Sequence, residues 1–490
     1  MISEKLKKAR DFEETEMKKI TESERPAFHV TGGLGWINDP NGFSCYKGEY
    51  HLFHQYHPYS NLWGPMHWGH LKSKDMITWE RLPIVMAPDE TYDDFGCFSG
   101  SALELEDGRH LLMYTGVQTI ENGEQDCRQT QCLAFGDGVH YEKYEHNPVI
   151  LPETLPEGSS TRDFRDPKIW QEDGIFYSVT VGMDEEENGF VALYKSTDLI
   201  HWEFCTVLDR SSKKLGGMWE CPDFFEVDGK HVLLVSPMAM MPDEDEFHAG
   251  HGTLAIVGHY DKESQTFTRE SLQSVDGGID FYAPTTMVTP DGRRIVIAWM
   301  QGWPNSKFVP PHVKYFGQLT VPCELNIRDG RLVRNPIREL LDYRRNPVFH
   351  KDVLISDQKV ELEKVSGRVL DMTVRIRDFE NLEKLTIRTA ENEEYHTSVS
   401  YDPKHGILNF DRTFSGYLYD ILHTRDLHVQ PQNGELKLRF ILDRYSLEVF
   451  VNDGERVGTV LLFTPLEAQN ISFEAKGSAV IDVEKYELNV

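Results

Sequence analysis

The chain has 490 residues, 51 of them basic and 80 acidic, for a net charge of -29. That length exceeds one ordinary core and sets two domains as the expectation. The charge argues against nucleic acid or an anionic membrane surface as a partner, and no run approaches the roughly 18 apolar residues of a membrane helix.

Residues 1–26 read as an N-terminal helical extension. Met1 to Ile20 is charged and periodic and has no apolar signal core. A short surface helix is expected, and the cytoplasm is the expected location. The seven cysteines are odd in number and scattered, which does not suit a disulfide framework.

Residues 27–335 carry a repeated β unit. Five segments open on a small or acidic residue and end in a glycine turn: Asp39-to-Gly48, Ser99-to-Gly108, Asp166-to-Gly174, Glu220-to-Gly229 and Ala283-to-Gly292. The glycines recur every 55 to 66 residues, a period suited to one propeller blade of four strands. Most turns are Asp-Gly, in which both residues tolerate positive φ. The strands that follow are apolar, as in Leu111-Leu112-Met113-Tyr114 and Val232-Leu233-Leu234-Val235, and fit burial on both faces. A second element repeats at Ser73–Trp79 and Ser196–Trp202. It reads as a structural Asp-initiated turn on the outer part of a blade. Five repeats predict a five-bladed β-propeller.

Pro336 onward, residues 336–348, reads as a short amphipathic linker helix. Residues 349–490 alternate without the blade signature and are expected to form a β-sandwich. The fold class is therefore all-β, a five-bladed propeller followed by a C-terminal sandwich.

Closing a repeat into a ring brings equivalent positions together at its axis. Asp39, Asp166 and Glu220 should then meet in one pocket. Asp39 lies in Trp36-Ile37-Asn38-Asp39-Pro40, where Asn side chains and free backbone N–H groups would keep it ionised, as a nucleophile requires. In Phe164-Arg165-Asp166-Pro167 the arginine is expected to hold Asp166 charged. Glu220 sits between Trp219 and Cys221, a drier setting suited to a general acid. Each motif alone also suits a turn, a local ion pair or a satisfied buried carboxylate. Two carboxylates in different environments across one pocket are the machinery of glycoside hydrolysis. Gln55, Trp63, Phe98, Ser99, Asp280, Tyr282, Trp299 and Trp303 are expected near its rim. The pairs His54/His57 and His67/His70 have i, i+3 spacing off a helix, so no metal is expected. No phosphate loop or other cofactor motif is present.

With these motifs in order, the chain resembles glycoside hydrolase family 32, the β-fructofuranosidases, over almost its whole length. The segments at 36–42, 55–58, 98–101, 164–167, 219–223 and 280–283, together with Asp443–Phe450, carry the likeness. A Cys at 323 departs from the family's usual Arg. The resemblance implies a propeller plus sandwich. It implies that Asp39 is the nucleophile, Glu220 the acid/base and Asp166 the transition-state stabiliser. It implies fructose contacts from Trp36, Asn38, Gln55, Trp63, Phe98, Ser99, Arg165, Tyr282 and Trp299. It also implies retention of configuration, with the two reacting carboxyl groups about 5 Å apart. Expected substrates are sucrose, sucrose 6-phosphate or short fructo-oligosaccharides. A fructan hydrolase, or a sugar-binding propeller without turnover, are the alternatives. A monomer or homodimer is expected.

Overall fold

The computed structural model describes residues 2–120, 127–243, 246–306, 313–416 and 419–490. Two stretches expected to shape leaving-group preference, 119–132 and 240–252, include 121–126 and 244–245, which lie outside the described residues. Five four-stranded antiparallel sheets, at 35–86, 96–143, 164–210, 219–274 and 282–336, form the blades. Tyr315–Phe316 lies parallel to the first blade's inner strand, pairing with Gly35 and Trp36. This contact ties the last blade to the first.

The turn chemistry divides the repeats into two kinds. In blades one, three and four, Lys47, Asp173 and Asp228 all have φ near +50°, as does the start of a two-residue type I′ turn, and a glycine follows. In blades two and five only Gly108 and Gly292 turn left-handed. In blade two Asp107 instead accepts from the Arg109 N–H at 3.0 Å, and in blade five Asp291 accepts from the Arg293 guanidinium at 2.8 Å. All five turns close hairpins, and the glycine is left-handed in each.

The outer repeated element is structural, as its sequence suggests. Asp75 accepts from the N–H groups of Ile77 and Thr78 at 2.9 Å, and Asp198 does the same for Ile200 and His201. The tryptophan that ends each copy donates to the carbonyl three residues back.

The N-terminal helix, Glu4–Met17, starts on Ser3, whose hydroxyl accepts from the Leu6 N–H. It is docked rather than loosely placed. Leu6, Ala9 and Glu13 are buried, Arg10 donates to the Ile84 carbonyl at 2.7 Å, and Tyr56 donates to Glu13 at 2.7 Å.

The expected linker helix at 336–348 is a short 3₁₀ segment, Arg338–Tyr343, and the next strand already begins at Arg344. Leu340 is buried but Leu341 is 46 % exposed, so the apolar face is too narrow to hold a longer helix. The sandwich is built around one long strand, Asn470–Leu488, which serves both sheets. Up to Gly477 it pairs with Leu382–Glu391 and Lys359–Ser366. From Ser478 it pairs with Arg344–Ser356 and Leu370–Arg377. Gly477, at φ +79°, stands at the crossing, where a Cβ would meet the Asn381 carbonyl oxygen at 2.0 Å.

Ion pairs lock sandwich to propeller. Buried His29, just before the first blade, bonds Asp443 at 2.8 Å and Glu448 at 3.0 Å. Burial opposes its charge, but the two carboxylates prevail and push its pKa up to about 9. Asp280 pairs with Arg412 at 2.6 Å, both fully buried. Among the described residues no helix is long and apolar enough to cross a membrane.

Candidate active site

Every inner strand breaks its ladder at the same place. The register shifts fall between Ile37 and Pro40, Phe98 and Gly100, Arg165 and Lys168, Glu220 and Asp223, and Tyr282 and Thr285. In four blades the cause is a proline, at 40, 167, 222 and 284, which cannot donate to the ladder and forces a bulge. In the second blade Gly100 takes that position. The residue before the proline is strained in three blades: Asp166 has φ 62°, Cys221 48° and Ala283 51°. Such strain persists only where its surroundings enforce it.

Counted from this bulge, the inner strands supply two rings of equivalent positions around the axis. One position before it stand Asp39, Ser99, Asp166, Cys221 and Ala283. Two positions before it stand Asn38, Phe98, Arg165, Glu220 and Tyr282. Glu220 therefore is not equivalent to Asp39 and Asp166, although its distance to the turn glycine matches that of Asp39. This register explains its partners, because its ring neighbours Arg165 and Tyr282 are the residues that bond it.

The rings open into a cavity of about 960 Å³. Asp39, Asp166 and Glu220 line it together, with Trp36, Asn38, Gln55, Trp63, Phe98, Ser99, Arg165 and Trp303. Ser99 donates to Asp39 Oδ2 at 2.6 Å, and the Asn38 amide donates to Oδ1 at 3.1 Å. The Asn38 amide oxygen in turn accepts from the Trp36 indole at 2.8 Å, which fixes the amide's orientation. Cys221 serves two acids at once. Its thiol donates to Asp39 Oδ2 at 3.4 Å and its N–H to Asp166 Oδ2 at 2.9 Å. Arg165 Nη2 donates to Glu220 Oε1 at 3.0 Å, and Tyr282 OH donates to Oε2 at 2.8 Å.

The electrostatics differ from the expectation. Burial and the nearby charge of Glu220 outweigh the bonds from Ser99, Asn38 and Cys221, so the Asp39 pKa is pushed up to about 6. Burial likewise pushes Asp166 up to about 7, against the pull of Arg165. Local donors were expected to keep both groups low, but burial beside the Glu220 carboxylate disfavours the charged form of both. Arg165 also spends its bonds elsewhere. It reaches Glu220, Asp163 at 3.3 Å and Gln129 at 3.4 Å, and forms no hydrogen bond to Asp166 among those resolved.

Three expected rim residues do not line the cavity. Trp299 is fully buried behind it, edge-on to Trp36 and Trp303 at ring separations of 5.8 and 5.2 Å. It supports the aromatic wall. Tyr282 is buried and touches Glu220. Asp280 turns away to Arg412 and the Leu461 N–H in the sandwich. The four histidines of the i, i+3 pairs bond backbone carbonyls or, for His70, the His51 ring. Residues that sequence reasoning missed include Cys221, Gln129, Asp163 and a methionine wall. Of these only Cys221 carried a signal, the Cys-Pro step at the repeat position.

Known proteins align with this arrangement over both domains. Residues 29–336 match the glycosyl hydrolases family 32 N-terminal domain, and residues 339–489 match the family 32 C-terminal domain. The chain belongs to glycosyl hydrolase family 32. Among family 32 relatives, a raffinose invertase of Escherichia coli is 37 % identical over 461 residues, 93 % of each chain. A sucrose-6-phosphate hydrolase of Zymomonas mobilis is 34 % identical, covering 97 % of this chain and 94 % of its own. A Bombyx mori GH32 beta-fructofuranosidase is 33 % identical with a TM-score of 0.84, covering 99 % of this chain and 98 % of its own. The five-bladed propeller and the sandwich are thus the family 32 architecture.

Proposed function

We propose that this family 32 glycoside hydrolase is a retaining β-fructofuranosidase acting on sucrose or a close derivative, with Asp39 as nucleophile and Glu220 as acid/base. The observation that carries the reading is the convergence of Asp39, Asp166 and Glu220, from blades one, three and four, on one cavity. The relatives agree in kind: one is named for raffinose, one for sucrose 6-phosphate, and a variant of the Bombyx mori protein was solved in complex with sucrose.

The two acids are held differently, as their roles demand. With a pKa of about 6, Asp39 is mostly ionised at neutral pH. Ser99 and Asn38 hold its two oxygens, so it can attack the anomeric carbon of the fructosyl unit from a fixed position. Glu220 protonates the departing oxygen, and the fructosyl unit is left on Asp39. Glu220 then takes a proton from water, which attacks the same carbon and releases fructose. The Tyr282 hydroxyl has two acceptors in reach, Glu220 Oε2 at 2.8 Å and the Ser236 carbonyl at 3.1 Å. It can donate to Glu220 when that group is ionised and to Ser236 when it is protonated. Asp166, near half-ionised at neutrality, can both accept from and donate to sugar hydroxyls.

A substrate panel tests the reading. Purified protein is given sucrose, sucrose 6-phosphate, raffinose, short fructo-oligosaccharides and inulin, and fructose release is measured. Release from sucrose or raffinose with a retained β product at first turnover is expected. No release from any of these would overturn it, and preferential release from inulin would move it to the fructan hydrolases.

A further inference from the structure

The side of the cavity that receives the leaving group has a composition that restricts what can leave. That restriction follows if the protein is a β-fructofuranosidase. The leaving group must lie beside Glu220, since that residue protonates its oxygen. The cavity wall there is formed by Gly217 and Met218, just before Glu220 in the chain, by Met238, and by Met183 and Glu187 at the tip of the neighbouring blade's hairpin. Three methionines make this wall apolar and adaptable, and none of them can donate to a phosphate.

The charges of the cavity point the same way. Its described lining carries the carboxylates of Asp39, Asp163, Asp166, Glu187 and Glu220 against the guanidiniums of Arg162 and Arg165. Arg165 is held by Glu220 at 3.0 Å and Asp163 at 3.3 Å. Arg162 stands 3.8 Å from Asp163. Glu187 ends an acidic run, Asp184-Glu185-Glu186-Glu187, whose last three members are exposed, with Glu187 at the rim. A phosphate dianion is ordinarily received by a fork of uncommitted cations or a nest of backbone N–H groups. Among the described residues this rim instead presents carboxylates around a single exposed arginine, Arg162.

We propose that the leaving-group side of the cavity selects neutral leaving groups, so that unphosphorylated sucrose and its neutral extensions are preferred over sucrose 6-phosphate. The Glu187 rim repels the phosphate on the departing glucosyl unit, and the methionine wall accepts neutral sugars of different size.

The test compares kcat/KM for sucrose, raffinose and sucrose 6-phosphate on the whole protein, at low and at moderate salt. Sucrose should exceed its 6-phosphate by about tenfold or more at low salt, because like charges in a cleft cost binding steeply. Added salt should raise kcat/KM for the phosphate ester alone, since screening weakens repulsion. Glu187→Gln should narrow the ratio, and Arg162→Gln should widen it. A phosphate ester turned over as well as sucrose, or one whose kcat/KM falls with salt, would overturn the proposal while leaving the enzyme reading intact. A ratio unmoved by Glu187→Gln would overturn the assignment to this rim. Failure of both neutral substrates would instead sink the enzyme reading itself.

Discussion

Two buried charge clusters in this molecule are built on opposite plans. At the domain junction each carboxylate of the cluster has a cationic partner: His29 bridges Asp443 and Glu448, and Asp280 meets Arg412. At the propeller axis this does not hold: three carboxylates share one fully engaged arginine, and two of them are pushed toward neutrality. The first cluster fits a role in holding two domains in place. The second is held against its own electrostatics by the fold around it, the arrangement expected where chemistry needs groups poised between protonation states.

Neutralising one aspartate in each cluster separates the two plans most sharply. Asp39→Asn, or Glu220→Gln, should lower kcat on sucrose by about a thousandfold or more, while the far-UV spectrum stays unchanged. Asp280→Asn should do the reverse. It leaves Arg412 buried without its carboxylate, a loss of about 3–5 kcal/mol, read as a fall in Tm or denaturant midpoint with kcat largely kept in the fraction that remains folded. Similar losses of activity in both variants would erase the distinction.

Smaller effects sharpen it. Tyr282→Phe removes one bond to Glu220 and should lower kcat about tenfold, with a smaller change in KM. Asp39→Asn should also raise stability at neutral pH by about 1–3 kcal/mol. The sign follows from linkage. The folded pKa of about 6 lies above the unfolded value near 3.8, so the wild type pays for ionisation as pH rises between the two. The gain should be absent at about pH 4 and complete above about pH 6, by thermal melts across that range. The His29 cluster runs on another window. Its folded pKa of about 9 exceeds the ordinary histidine value of 6.5, so its contribution is full below about pH 6.5 and is lost as pH rises through about 9. Melts of His29→Gln beside wild type should converge at that alkaline end. The smallest effect is expected from Ser99→Ala, which removes a bond favouring ionised Asp39. The acidic limb of its kcat/KM profile should move to higher pH, by about one unit or less.

The propeller was legible because its turns are local chemistry. A glycine every 55 to 66 residues marks each hairpin, and the strand that follows reads as apolar. The three acids were legible for the same reason, since each opens a repeat. What stayed hidden depends on contacts across the ring or between domains. The glycine offset aligned Glu220 with Asp39, but the prolines at 40 and 222 set the true register. Trp299 and Asp280 have the composition of a sugar rim, yet one packs behind Trp36 and the other is claimed by an arginine 132 residues away. Nothing near Asp39 in sequence indicates that Glu220 will raise its pKa.

The most direct test of the account is a trapped intermediate. Glu220→Ala is mixed with β-fructofuranosyl fluoride, which needs no acid to depart, and the intact protein is weighed and then digested. The account predicts a gain of one fructosyl unit, carried by the peptide that contains Asp39, because attack proceeds while the base that would activate water is missing. A fructosyl unit found on Asp166, or rapid release of an inverted product with no adduct, would contradict it.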